Sequence, residues 1–220
     1  MIEIFFDFIS PYSYLACAEI GRLAARLGQE VEPRPVLFAG ILNALGTKGP
    51  AEVPARRAYV FKNVIRAAHR AGVKIDLPPA HPFNPLPALR LAALDVERAL
   101  RFRIIDALFR ATWGGGGGID GAENIALALG QAGLDAPSLM DRAALPEAKV
   151  RLRHNTDDAL SRGVFGVPTM FLDGEMFFGF ESFPEIEAFA RGEDPVAKRI
   201  DLVERWAKLP AAATRPKAAG

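Results

Sequence analysis

The chain has 220 residues and contains 27 Lys and Arg and 26 Asp and Glu, so its formal charge is +1. Half of the residues are hydrophobic, which excludes disorder over most of the chain. The near-neutral charge argues against a dedicated nucleic-acid binder. The one cysteine, Cys17, excludes an intramolecular disulfide and a CxxC redox pair. The three histidines lack the short spacings of a metal site, so no metal is expected.

The first residues, MIEIFFDF, read as a strand and lack the basic segment and cleavage site of a secretory signal. No uncharged apolar run approaches the ~18 residues that a membrane span needs. We therefore expect a cytoplasmic protein that has neither a membrane nor a nucleic acid as partner.

The N-terminal segment predicts a β-α-β unit. Residues 2–9 predict a buried strand, because most of them are apolar and favour β structure. A helix follows, with Ser10 as its N-cap, Pro11 at its first position and Gly28 at its end. Residues 30–38 predict a second strand.

From about residue 40 to 162 the apolar periodicity is helical throughout. Residues 73–87 contain five prolines and predict a loop, and the GGGGG run at 114–118 predicts a flexible lid. The predicted helices cover 41–46, 54–72, 88–113 with a possible break near 96–99, 121–132, 136–143 and 146–162.

Strand patterning returns near the C-terminus. Residues 167–172 and 175–179 flank Asp173-Gly174, a pair that favours a tight β-hairpin. Helices are predicted over 182–192, with Ser182 as a possible cap, and over 196–209. The small residues and prolines of 210–220 predict a flexible tail.

This order, βαβ followed by helices and then ββα, predicts an α/β protein with a thioredoxin-like core and a large inserted all-helical domain. We expect the core to comprise 1–39 and 163–209, and the helical domain 40–162.

Two short segments would meet in such a core. Ser10-Pro11-Tyr12-Ser13 begins the first helix, whose free N–H groups and partial positive charge stabilise an anion. Val167-Pro168 precedes a strand, and a cis bond there would expose the Val167 backbone to an extended peptide. Because this helix start offers hydroxyls, a thiolate would have to come from a ligand. The alternative is that Ser10 is only an N-cap.

Segments FFDFISPYSYLA (5–16) and FGVPTMFLDGEMFFG (165–179) resemble those of the 2-hydroxychromene-2-carboxylate isomerases and their relatives, the kappa-class glutathione transferases. The resemblance implies a thioredoxin-superfamily fold and non-redox chemistry with glutathione as cofactor. It places Ser10 at the glutathione sulfur. It places Val167 and Pro168 at the cysteinyl backbone, and Phe180, Glu181 and Ser182 at the γ-glutamyl end.

The chain departs from the family pattern at several positions, among them Ser182, where the family often has an Arg. Glu181 stands where an Asp is usual, Thr47 replaces an Asn that the resemblance assigns to cofactor binding, and Asn63 replaces an Asp. The resemblance also implies that Pro11, Tyr12 and Asn84 bind substrate, although Asn84 could equally form an ordinary turn near its prolines.

The resemblance thus implies a glutathione-dependent cis–trans isomerase that acts on a conjugated aromatic acid by reversible thiolate addition, and it favours a homodimer. Two alternatives stay open: a kappa-class-like transferase or peroxidase, and a thioredoxin-like module without catalysis. Outside this site, Cys17 is expected to be buried filler, and His81 and His154 are expected in loops or on the surface.

Overall fold

A computed structural model describes residues 1–211, so the predicted tail lies outside the described residues except for Pro210 and Ala211. Four strands form one mixed sheet in the order β2-β1-β3-β4. The central strand β1 pairs parallel with β2 and antiparallel with β3, which pairs antiparallel with β4. This topology confirms the predicted thioredoxin-like core. The strands are β1 Ile2–Phe6, β2 Val31–Pro35, β3 Thr169–Leu172 and β4 Glu175–Phe178.

Helix α1 connects β1 with β2, and every helix from α2 to α8 lies in the chain between β2 and β3. The helical insertion and the break between α4 and α5 follow the sequence prediction, while the division into two domains stays a prediction. The α-helices are α1 Pro11–Leu27, α2 Phe38–Leu45, α3 Pro54–Ala71, α4 Leu86–Ala92, α5 Arg98–Trp113, α6 Ala122–Gln131, α7 Ala136–Ala144, α8 Pro146–Ser161, α9 Phe183–Ala190 and α10 Ile200–Ala207.

Strand β1 ends at Phe6, earlier than predicted, because Asp7 turns the chain. The Asp7 carboxyl accepts the Ile9 N–H at 3.0 Å, and the Asp7 carbonyl accepts the Ser10 N–H at 3.1 Å. This turn leads directly into α1, which begins after Ser10. The turn therefore fixes where the N-terminus of α1 lies relative to the sheet.

The hairpin between β3 and β4 confirms its prediction. Leu172 pairs with Glu175, and the two residues between them have positive φ, 51° at Asp173 and 88° at Gly174. Positive φ at both positions is what a type I′ turn requires.

One apolar cluster joins the sheet to the helical insertion. The rings of Phe6, Phe8 and Phe109 lie with centroids 4.6–5.6 Å apart, at distances that favour aromatic packing. Trp113 is also buried in this cluster, and its indole N–H donates to the Phe8 carbonyl at 2.8 Å. The segment after β1 is therefore held by the end of α5.

The C-terminal end departs from one continuous helix. A 3-10 turn, Pro195–Lys198, precedes the short α10. Val203, Trp206 and Leu209 are exposed, so they do not cover the core, and a partner subunit over this face stays a prediction. Within residues 1–211, no helix is both long and apolar enough to cross a membrane.

Candidate functional site

A cavity of about 630 Å³ lies between the start of α1, the segment before β3, and helices α2 and α3. Ser10 and Val167 line its core side, and Thr47 and Arg57 line its helical side. Most of the lining is apolar, and aromatic rings contribute from several elements. These are Tyr12, Phe38, Phe61, Phe83, Phe165 and Phe178.

Ser10 and Val167 are in direct contact, although 157 positions separate them. The buried Ser10 hydroxyl donates to the Val167 carbonyl at 3.3 Å and accepts the Ser13 N–H at 3.1 Å. Ser10 is therefore the N-cap of α1, as predicted, and its hydroxyl also lines the cavity. The Val167–Pro168 bond is cis. The two segments that the sequence predicts to meet are thus in contact.

A second polar contact involves Tyr12, which lines the cavity, with Asn63 and Glu181, which do not belong to its lining. The Asn63 side-chain amide donates to the Tyr12 hydroxyl at 2.8 Å and to a Glu181 carboxylate oxygen at 3.3 Å. Burial raises the pKa of the Tyr12 hydroxyl, and the nearby Glu181 carboxylate adds to that rise. Glu181 is exposed and, within residues 1–211, forms no ion pair.

Pro11 and Thr47 line the cavity, as the prediction of site residues requires. Pro168 does not line the cavity, and its carbonyl accepts the Gly179 N–H at 2.9 Å. Asn84 does not line the cavity: it is exposed, and its side chain accepts the Leu86 N–H at 3.1 Å. This contact is the turn that the alternative interpretation predicts, so a role of Asn84 toward substrate stays a prediction.

Phe180, Glu181 and Ser182 also lie outside the cavity lining. The ring of Phe180 packs edge-on against Phe183, with centroids 5.1 Å apart. Ser182 does not cap α9, because its hydroxyl donates to the Phe178 carbonyl instead. Their assignment to the γ-glutamyl end remains untested by this geometry.

Five polar or charged residues of the cavity lining were not among the predicted site residues: Asp7, Asn43, Glu52, Arg57 and His81. Asp7 is fully buried, and burial raises its pKa to about 7 although it accepts two backbone N–H groups. A carboxylate inside the apolar run FFDFI was a signal that could have identified it.

His81 was expected in a loop or on the surface, and it lies in the loop before α4 with its ring against Trp113, 5.6 Å between centroids. Its Nε2 lies 3.0 Å from the Ile9 carbonyl oxygen, and burial lowers its pKa. No local pattern around His81 indicates this contact, which spans 72 positions.

The cavity contains no thiol of the protein. Cys17 lies further along α1 and lines a separate, smaller space of about 210 Å³ with Phe102 and Phe109. Burial in apolar surroundings raises the pKa of its thiol. A thiolate at Ser10 would therefore have to belong to a ligand.

The glycine run at 114–118 does not line the cavity, so the expected lid over the site is not observed. The run closes a tight turn after α5, in which the Gly118 N–H donates to the Ala111 carbonyl at 2.8 Å. A Cβ on Gly116 would lie 2.7 Å from the Cα of Ala111, which explains a residue without a side chain there.

A profile of the DsbA-like thioredoxin domain matches residues 1–189. The chain is 31% identical over 192 residues to the 2-hydroxychromene-2-carboxylate isomerase of Sphingobium xenophagum, covering 86% of this chain and 96% of that protein. The chain belongs to the 2-hydroxychromene-2-carboxylate isomerase family. This family lies within the DsbA-like thioredoxin proteins, and the resemblance stated from the two sequence segments is confirmed.

Two further family members support the same relationship. Glutathione S-transferase kappa 1 of Rattus norvegicus is 27% identical over 208 residues, covering 88% of this chain and 91% of the transferase. A solved 2-hydroxychromene-2-carboxylate isomerase superposes with a TM-score of 0.77 at 25% identity, covering 96% of this chain and 99% of that one. The chain is therefore homologous to isomerases and to glutathione transferases.

Proposed function

We propose that this family member is a glutathione-dependent cis–trans isomerase of a conjugated aromatic carboxylic acid. The observation that carries the proposal is the position of the Ser10 hydroxyl, which caps α1 and lines a mostly apolar cavity. This cavity contains no thiol of the protein. Such a site is suited to a thiol brought by a second molecule, and the family's relatives include glutathione transferases.

The residues present fit glutathione on three sides. The start of α1 supplies the Ser10 hydroxyl and a partial positive charge for the sulfur. Val167 presents backbone beside it, and Glu181 offers a carboxylate without an ion-pair partner in residues 1–211 for the γ-glutamyl ammonium. When bound, glutathione supplies a thiolate that adds reversibly to a conjugated carbon, which lets a double bond rotate without net redox change.

Ser10 acts in this proposal by exchanging one hydrogen bond for another. Its hydroxyl donates to the Val167 carbonyl at 3.3 Å, a long distance for an O–H donor. Donation to a thiolate would take the hydroxyl away from Val167 and leave that carbonyl free for a peptide N–H. One rotation of a serine side chain therefore prepares both the sulfur contact and the backbone contact. The helix N-terminus lowers the pKa of a thiol held there.

The cavity lining favours an aromatic anion as substrate. Six aromatic side chains line it, and Arg57 is its one Lys or Arg among the described residues. Arg57 is exposed on α3 and forms no ion pair in residues 1–211, so its guanidinium is available to a carboxylate.

Calorimetric titration with reduced glutathione tests the cofactor. We expect binding in the micromolar-to-millimolar range, weakened about 10-fold by Glu181→Ala because an ion-paired hydrogen bond is lost. Glu185→Ala, an exposed carboxylate in the first turn of α9, is the matched control and should leave the affinity unchanged. No detectable binding to the wild type would remove the proposed thiolate and with it the isomerase mechanism.

Homology to the kappa-class transferases supports a second candidate, a transferase or peroxidase that consumes glutathione. Product analysis separates the two. An isomerase returns all of the added glutathione as free thiol while 2-hydroxychromene-2-carboxylate is converted. A transferase or peroxidase depletes the thiol and leaves a conjugate or a disulfide. Absence of any thiol-dependent turnover would favour a module without catalysis.

A further inference from the structure

The backbone of Ile9, which directly precedes Ser10, is held at both its N–H and its carbonyl by titratable side chains. Its N–H donates to one carboxyl oxygen of Asp7 at 3.0 Å. Its carbonyl accepts from the Nε2 of His81 at 3.0 Å. Both side chains line the cavity, and the mechanism above uses neither of them.

Asp7 also connects the loop between β1 and α1 to helix α2, on the helical side of the cavity. Its second carboxyl oxygen accepts the N–H of Phe38, the first residue of α2, at 2.9 Å. The carbonyl of Phe8, the next residue, accepts the Trp113 indole N–H, so the loop is also fixed directly after Asp7. Any displacement of Ile9 moves the cap of α1, because Ser10 is the next residue.

We propose that Asp7 and His81 are positioning residues that hold the two peptide groups flanking the Cα of Ile9 and thereby set the place of the Ser10 hydroxyl. The importance of Ser10 for turnover rests on the proposed function. The grip itself rests on the two hydrogen bonds and on the burial of the loop.

The two side chains need defined protonation states to make these contacts. His81 donates from Nε2 whether its ring is neutral or charged, provided that the proton of the neutral ring is on Nε2. Asp7 accepts two N–H groups best as a carboxylate, since a protonated carboxyl loses acceptor strength on one oxygen. Burial raises the Asp7 pKa to about 7, so the grip is strongest above neutral pH.

The other titratable side chains of the cavity are few. Tyr12 lies on α1, Glu52 lies in the short 3-10 turn before α3, and Arg57 lies on α3. Arg57 donates to the His81 carbonyl at 3.1 Å, and its charge lowers the His81 pKa further. A midpoint near 7 in this region therefore has Asp7 as its expected source.

Amide NMR of the ligand-free protein tests the grip without glutathione. We expect the Ile9 and Phe38 amides to titrate together with a midpoint near 7, and Asp7→Asn to abolish that titration. The Ser13 amide, which donates to the Ser10 hydroxyl, should shift in Asp7→Asn and in His81→Phe. It should return toward the wild-type position in His81→Gln, whose side-chain amide can still donate to Ile9.

Turnover on 2-hydroxychromene-2-carboxylate with glutathione gives the second readout. At pH 8 we expect Asp7→Asn and His81→Phe to lower kcat by about 10- to 100-fold with little change in KM, since misplacement of a reacting group has effects of this size. His81→Gln should recover most of the loss. Asp141→Asn and His154→Phe, which alter exposed residues on α7 and α8, are matched controls and should behave as wild type.

The amide chemical shifts and the turnover test the two proposals independently of each other. If the Ser13 amide chemical shift and kcat are the same in His81→Phe, His81→Gln and the wild type, the proposal is overturned. If glutathione neither binds nor turns over while the amide shifts follow the expected pattern, the proposed function is wrong and the positioning of Ser10 stands. Equal loss in His81→Phe and His81→Gln would also overturn the proposal, because the donor would then not matter.

Discussion

The two walls of the cavity differ in how firmly their polar groups are held. On the core wall, Asp7, Ser10 and Val167 are buried and joined to the protein by hydrogen bonds. On the helical wall, Thr47 is exposed in the loop after α2, and Arg57 is exposed on α3. A preorganised wall suits the chemical step, whereas an exposed wall suits the recognition of a variable partner.

The departures from the family pattern follow this difference. Among the residues that the resemblance assigns to the site, Ser10, Val167 and Pro168 are buried, while Thr47 and Glu181, two of the departures, are exposed. Asn63 shows how one departure accommodates another: its amide donates to Glu181 at 3.3 Å, where an Asp would repel that carboxylate. The residues of the core wall therefore restrict which reaction can occur more strongly than those of the helical wall restrict which ligands can bind.

The largest expected effect concerns the buried carboxyl of the core wall. Burial raises the Asp7 pKa from 3.8 to about 7, so between these values the folded protein holds a proton that the unfolded chain has released. This contribution to stability is lost as pH rises from 4 to 8. At about 1.4 kcal/mol per pKa unit, the wild type should lose about 4 kcal/mol relative to Asp7→Asn over this range. Urea unfolding of both proteins at pH 4, 6 and 8 measures the difference.

Asp141→Asn is the control for that series, because Asp141 is exposed. Parallel pH dependences in the wild type and Asp7→Asn would mean that Asp7 ionises as an ordinary surface carboxylate. The core wall would then be less rigidly held than its hydrogen bonds indicate.

Ser10→Ala should have the next largest effect, and it acts on the reacting end of the core wall. We expect kcat on 2-hydroxychromene-2-carboxylate to fall about 100-fold, since a hydrogen bond to developing charge is lost. Stability should fall by about 1 kcal/mol with the loss of the N-cap. Ser13→Ala is the matched control: within residues 1–211 its buried hydroxyl has no hydrogen-bond partner, so neither turnover nor stability should fall. Full activity of Ser10→Ala would reduce Ser10 to a helix cap.

The elements that sequence predicted well are those with local causes. Ser10 and Pro11 start α1, and Asp173-Gly174 adopts the positive φ angles of a two-residue turn. Helix α3 begins at Pro54 and ends before Gly72, as its residues suggested. In each case the deciding interaction lies within a few positions of the residue concerned.

The parts that sequence did not predict depend on contacts between distant positions. His81 reaches Ile9 across 72 positions, and Arg57 enters the cavity wall only because α3 packs against α1. The glycine run was misassigned as a lid for the same reason, since its partner segment around Pro79 lies far away in the chain. Local patterns located Ser10 and Val167 on the core wall and missed Asp7 beside them.

Arg57 tests whether the helical wall selects an anion. Arg57→Gln should raise KM for a carboxylate substrate about 10-fold and change kcat little, because a hydrogen bond between charged groups is lost in substrate binding. Arg57→Lys should recover part of the affinity. Arg56→Gln, the neighbouring exposed residue that does not line the cavity, is the matched control. An effect on kcat equal to that on KM would instead assign Arg57 to the support of His81, whose carbonyl it contacts.

Thr47 should give the smallest effect, because one exposed hydrogen bond is at stake. The family's Asn at this position offers both a donor and an acceptor, whereas Thr47 offers a single hydroxyl. We expect Thr47→Asn to strengthen glutathione binding by about 2- to 5-fold in calorimetry, and Thr47→Val to weaken it by a similar factor. If both substitutions leave the affinity unchanged, glutathione is held by the core wall and Glu181 alone. The helical wall would then contact only the substrate, while the core wall and Glu181 would bind glutathione.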